Sequence, residues 1–172
     1  MWWSSMARRP RIRIALLSAG LLFLTGCGFR LAGSEPLPAV MSKPYLSLQD
    51  SYTDFARAFE RHLADSGALL QSSGDSASAT IEITLDEVQR RVLSVSASNI
   101  PTEYELTYTV TIGVRIAGRE LLAPQTLSLT RDYSFDKNAL LAKEHEEDVL
   151  RVQMARDLAV IATRRLASLK SN

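Results

Sequence analysis

The stretch "YELTYTVTIGVRI", Tyr104 to Ile116, alternates without a gap. Tyr104, Leu106, Tyr108, Val110, Ile112, Val114 and Ile116 share one parity, and Glu105, Thr107, Thr109, Thr111, Gly113 and Arg115 share the other. A period of two places successive side chains on opposite faces, so this pattern predicts an antiparallel strand with one buried and one wet side. Threonine suits the wet side because it is polar yet β-branched. The rest of the chain must then supply neighbouring strands and a cover for the apolar face.

The neighbours are found on both sides. "AGRE", Ala117 to Glu120, turns the chain, and Leu127, Leu129, Tyr133 and Phe135 alternate with Ser128, Thr130 and Asp132 in a returning strand. Upstream, Ile81, Ile83 and Leu85 begin a strand that runs to Val95 with some irregularity around Val88. The three strands read as a meander. Before them, "YLSLQD", Tyr45 to Asp50, is a short strand. After it Phe55, Phe59 and Leu63 recur every four residues, flanked by Tyr52 and His62, with Ser51, Thr53 or Asp54 as the cap and Gly67 as the stop. "SSGDSASA", Ser72 to Ala79, is a loop. A long helix from about Asn138 to Leu169 carries Leu150, Met154, Leu158, Ile161 and Leu166 at helical spacing. Glu144, Glu146, Glu147 and Asp148 lie near its start and Arg164, Arg165 and Lys170 near its end, which complements the helix dipole. The order is β-α-β-β-β-α. It predicts an α+β two-layer sandwich, in which two helices cover one face of a four-stranded, mostly antiparallel sheet and the threonine face stays bare.

The first residues read as an address. Arg8, Arg9, Arg11 and Arg13 form a positive region, and Ile14 to Leu24 form an apolar run shorter than the ~20 residues of a spanning helix. Leu24-Thr25-Gly26-Cys27 then resembles a lipobox, in which the thiol is acylated and the chain is cut just before it. Residues 1–26 are accordingly expected to be a cleaved signal peptide, residues 27–44 a lipidated N-terminus and tether, and residues 45–172 a single domain. The expected prosthetic chemistry is limited to an N-acyl diacylglyceryl lipid on Cys27, with no other cofactor. Several acyl chains hold a protein on a membrane, where one alone anchors weakly. Gly28 stands where an aspartate would favour the inner membrane, which points to the outer one. Loss of the four arginines takes the 20 basic residues to 16 against 19 acidic ones, a formal charge of −3. No strongly basic surface is left for nucleic acid. With Cys27 the sole cysteine, acylation leaves no thiol for a disulfide or a metal.

Catalytic patterns are missing. His62 edges the first helix, and His145 in "KEHEED" has no second histidine four residues after it, so no HExxH metal pair exists. Neither a nucleophile elbow, a phosphate loop nor a dinucleotide fingerprint occurs. The sequence reads as a binding or scaffolding protein.

Three stretches carry a family resemblance. "CGFRLAG", Cys27 to Gly33, resembles the mature start of the lipopolysaccharide-assembly lipoprotein family LptE, with Ala32 where the family commonly has arginine. "TEYELTYTVTIGV", Thr102 to Val114, is similar to its central strand, and "LTRDYSFDKNALLAKEHEEDVLRVQMARDLAVIATRRL", Leu129 to Leu166, to its last strand and terminal helix. The resemblance implies an outer-membrane lipoprotein, facing the periplasm, that sits 1:1 in the lumen of the large β-barrel LptD, plugs it, supports its assembly and binds lipopolysaccharide (LPS). Lipid A phosphates call for cations beside hydrogen-bonding groups. Lys143, which matches the family's lysine in "LAK", is then the first LPS-binding candidate, followed by Arg90, Arg91 and Arg131. Thr107, Thr109, Thr111 and Thr130 are the barrel-contact candidates. An accessory lipoprotein of another envelope machine, for barrel assembly or lipid transport, would share the anchor and the α/β body.

Overall fold

The computed structural model describes residues 36–135 and 140–169, the side chains of residues 140–144 excepted. Its elements are β1 (Pro44–Leu48), α1 (Asp54–Asp65), β2 (Ala79–Val95), β3 (Pro101–Ile116), β4 (Arg119–Ser134) and α2 (Leu140–Ala167). The strands form one sheet in the order β1-β2-β3-β4, with β1 parallel to β2 and the other pairs antiparallel. A parallel pair needs a crossover, and α1 provides it. Both helices join the sheet's apolar side in one core, so the expected α+β sandwich is the fold.

The central strand β3 supplies most of that core. Leu106, Tyr108, Val110, Ile112 and Val114 are buried along its length, while Thr107, Thr109 and Thr111 alternate with them in half-exposed positions. In α1, Phe55 and Phe59 stack with ring centroids 5.2 Å apart, and both are fully buried with Leu63. Each large side chain of this kind contributes about 1.5–3 kcal/mol by leaving water. Thr53 caps α1 by accepting the Ala56 N–H at 3.0 Å. Gly67, at φ 88°, ends it, with Gly67 N–H to Ala64 O at 2.9 Å and Ala68 N–H to Leu63 O at 3.0 Å. The β3–β4 turn places Ala117 and Gly118 at φ 48° and 77°, the left-handed pair that suits a two-residue hairpin.

Three details depart from the sequence expectation. Ile83 pairs with Ile112 but Leu85 with Thr111, so Thr84 is an extra residue in β2. That bulge moves Leu85 to the threonine face and turns Asp86, Val88, Arg90 and Val92 toward the helices. The core stripe of α2 is Met154, Ala155, Leu158, Ala159, Ala162 and Leu166, whereas Ile161 is 38% exposed. The third correction concerns the tether. Met41 is fully buried and Leu37 and Val40 pack on the core, so the folded body includes residues expected to be a free leash.

Candidate functional site

The bare face of the sheet carries a ladder of hydroxyls. Cross-strand partners share a face, and the register sets Thr107 opposite Thr130, Thr109 opposite Ser128 and Thr111 opposite Thr126. Their oxygens lie 3.3, 3.1 and 3.0 Å apart. A hydroxyl has one donor and two lone pairs, so each rung uses one O–H and leaves the other free to point outward with spare acceptors. On β2 the same face continues through Glu87 and Gln89, which bond each other at 2.8 Å, and through Arg91, whose Nε and Nη2 donate to Glu105 at 3.0 and 2.7 Å. The four threonine candidates thus stand together. Ser128 and Thr126 complete the set, and the parity of β4 already marked Ser128 as one of its polar residues.

The arginine candidates are not one cluster. Arg90 faces the helices, where Nη1 donates to Glu147 at 2.9 Å and the guanidinium lies 5.0 Å from the Tyr104 ring centre. Tyr104 stacks on Tyr133 and meets the edge of Phe135. The Tyr133 hydroxyl also donates to Glu147, so one carboxylate ties β2 and β4 to α2. Burial and then that carboxylate push the Tyr133 phenol up to about 12, while the bond to Glu147 raises Arg90. Arg131 lies beside Leu106 on the helix side and is 3.7 Å from Asp157. Arg91 is on the opposite face. All three guanidinium groups are about half exposed or more, so their ion pairs are worth roughly 0–1 kcal/mol and leave donors available to another anion. Lys143 falls in the first turns of α2, and its side chain lies outside the described residues, as does Cys27.

Among the described residues no three or more His, Cys, Asp or Glu side chains could hold a metal ion, and no helix is long and apolar enough to cross a membrane. Apolar side chains do reach the surface at the β2–β3 tip, where Val92, Leu93 and Val95 are 46%, 44% and 51% exposed.

Residues 45–166 match the profile of the family LptE, lipopolysaccharide-assembly. The LPS-assembly lipoprotein LptE of Yersinia enterocolitica is 28% identical over 159 residues, which cover 92% of this chain and 76% of the relative. The Yersinia pestis protein of the same name is 27% identical over the same share. Among solved structures, the rare lipoprotein B from Shewanella oneidensis superposes with a TM-score of 0.64 at 26% identity, covering 73% of this chain and 94% of that one. Lipoprotein B from Nitrosomonas europaea gives a TM-score of 0.68 at 28% identity, over 82% and 91%.

Proposed function

Because the chain belongs to the LptE lipopolysaccharide-assembly family, we propose that it is an outer-membrane lipoprotein, anchored through Cys27, that plugs and supports the LPS-export barrel LptD and binds LPS in transit. It acts by binding and not by catalysis. The observation that carries this reading is the uncovered hydroxyl ladder formed by Thr107, Thr109 and Thr111 with Thr130, Ser128 and Thr126. A plug seated in a hydrated lumen must keep its apolar residues in its own core and offer hydrogen bonds outward, which is how β3 divides its two faces. Wide barrels leave room for such an insert.

For LPS, the half-exposed guanidinium groups of Arg90, Arg91 and Arg131 support contacts with phosphate, each exchanging a weak carboxylate partner for a more highly charged one. Lys143 stands first because it matches the family's lysine and begins the helix that follows β4. Gentle detergent extraction tests the assignment. The expected product is a 1:1 complex with one large barrel, of the size class that buries more than about 2,000 Å². A chain that migrates alone, or with a multi-subunit assembly machine, would remove the plug reading.

A further inference from the structure

The two ends of the sheet differ in how their charges are used. Pro44 pairs with Ala79, Thr80 with Arg115 and Ile116 with Arg119, so the starts of β1 and β2 and the β3–β4 turn form one rim. Ser42 O accepts Leu69 N–H at 2.8 Å and Pro44 O accepts Gln71 N–H at 2.9 Å, which ties the loop after α1 to the same rim. The end of α2 is near: Arg165 Nε donates to Gln125 at 3.0 Å, and Gln125 pairs with Ile112 close to the rim.

Away from this rim, Arg57, Arg90, Arg91, Arg131 and Arg151 are all engaged by carboxylates. On it, the exposed Lys43, Arg61, Arg119 and Arg164 form no ion pair among the described residues, and Arg156, in the middle of α2, is the one comparable cation elsewhere. Asp65, Asp75 and Glu120 share the rim and Glu82 holds Arg115 at 3.8 Å, so the cations act locally and not through a large net field. Beside Lys43, on the outer edge of β1, Leu69 is 64% exposed and Leu70 36%, with Arg119 across the sheet at the β3–β4 turn. Exposed leucines bordered by unpaired cations are what an interfacial contact with anionic lipid requires.

We propose that this rim rests on an anionic phospholipid surface, with Leu69 and Leu70 entering the interfacial zone and Lys43, Arg61, Arg119 and Arg164 meeting phosphates. The proposal rests on Cys27 carrying the anchor. The chain enters the body at Pro36 and is tied in by Met41, and residues 28–36 can reach at most about 30 Å at ~3.3 Å per residue. The opposite tip lies a further 17-residue strand away. A lipid on Cys27 therefore holds the rim near the bilayer at any tilt of the body, whereas the tip meets it only when the body lies flat. This leaves the hydroxyl face for the barrel.

The test uses the full acylated chain, in which an introduced thiol is the only free one. Leu69→Cys and, at the far tip, Leu93→Cys are each labelled with an environment-sensitive fluorophore and mixed with vesicles of phosphatidylcholine containing phosphatidylglycerol. Flotation with the vesicles reports the anchor by itself. The expected result is that the label at 69 shifts to the blue and is quenched by lipids bearing a nitroxide just below the headgroup, that the label at 93 shows neither change, and that adding Arg119→Glu and Arg164→Glu reduces the quenching. A chain that floats with residue 69 still in water, or with residue 93 quenched as strongly, overturns the rim contact while leaving the anchor intact. A chain that does not float overturns the anchor and the contact together.

Discussion

Thr53 Oγ1 donates to Asp86 Oδ2 at 2.5 Å, and the same threonine accepts the Ala56 N–H that begins α1. Tyr108 lies beside the same carboxylate, and its hydroxyl accepts the Phe55 N–H at 3.2 Å. The bulge at Thr84 is what brings Asp86 to this side. Burial raises the Asp86 pKa above 3.8; the hydroxyls of Thr53 and Tyr108 oppose the rise, and the charges of Asp50 and Asp54 add to it. A raised carboxylate binds its proton more tightly in the folded state, so stability declines as pH rises from 3.8 through the folded value and is constant above it. Asp86→Asn keeps one acceptor oxygen for Thr53 and removes the titration. The difference in unfolding free energy between wild type and variant, followed by chemical denaturation, should fall as pH rises from 3.8 through the folded value and be constant above it.

Glu147 joins Arg90 of β2 and Tyr133 of β4 to α2, so its removal separates two effects. Glu147→Ala strips the buried Tyr133 hydroxyl of its acceptor, an expected loss of about 1–2 kcal/mol in unfolding free energy. Its coupling to the half-exposed Arg90 should stay below about 1 kcal/mol in a double-mutant cycle with Arg90→Ala, and its coupling to Tyr133→Phe should be larger. By contrast Lys143→Glu is expected to leave the melting temperature unchanged. It should lower affinity for purified LPS by about tenfold or more, since a charge-assisted hydrogen bond is worth about 1.5–3 kcal/mol.

On the hydroxyl face, Thr109→Val preserves the β-branched shape and removes one rung of the ladder. The isolated protein should change by no more than about 0.5 kcal/mol, because the site is half exposed. The complex with the barrel should weaken, and Thr107→Val with Thr111→Val should weaken it further. A photo-crosslinker at Thr109 or Thr130 should reach the barrel, while one at Val110 or Leu158, both fully buried, should not. Crosslinks from the two buried positions and none from the ladder would place the contact elsewhere.

How far the sequence reaches is seen in β2 and β3. Strand β3 is regular from Tyr104 to Ile112, so parity alone assigns both of its faces and finds the ladder. In β2, counting from Ile81 and Ile83 would turn Arg91 toward the helices and Arg90 toward water. The bulge at Thr84 reverses that count; the apolar pattern shows an irregularity only near Val88, four residues later, because the site of a bulge is set by what the partner strand offers. Arg90 therefore meets Glu147, 57 residues away, an encounter that depends on the packing of α2. The burial of Met41 was hidden for a similar reason: prolines on either side mark a break in regular structure, not a break in packing.

Large apolar residues at helical spacing suggested the core face of α2, but Ala155, Ala159 and Ala162 are as fully buried as Leu158 and Leu166. Alanine there leaves space for α1 and the sheet to come close, and a longer side chain has nowhere to go. Ala159→Leu is expected to cost about 1–3 kcal/mol through overpacking, and Leu158→Ala about 2–5 kcal/mol through the cavity it leaves. Ile161 belongs to the rim of the stripe at 38% exposure, so Ile161→Ala should cost well under either value. Urea denaturation of the three variants orders them. If Ile161→Ala proved as damaging as Leu158→Ala, α2 would have to be rotated about its axis relative to the sheet, and Thr163, now buried with its hydroxyl on Ala159 O at 2.8 Å, would turn outward with it.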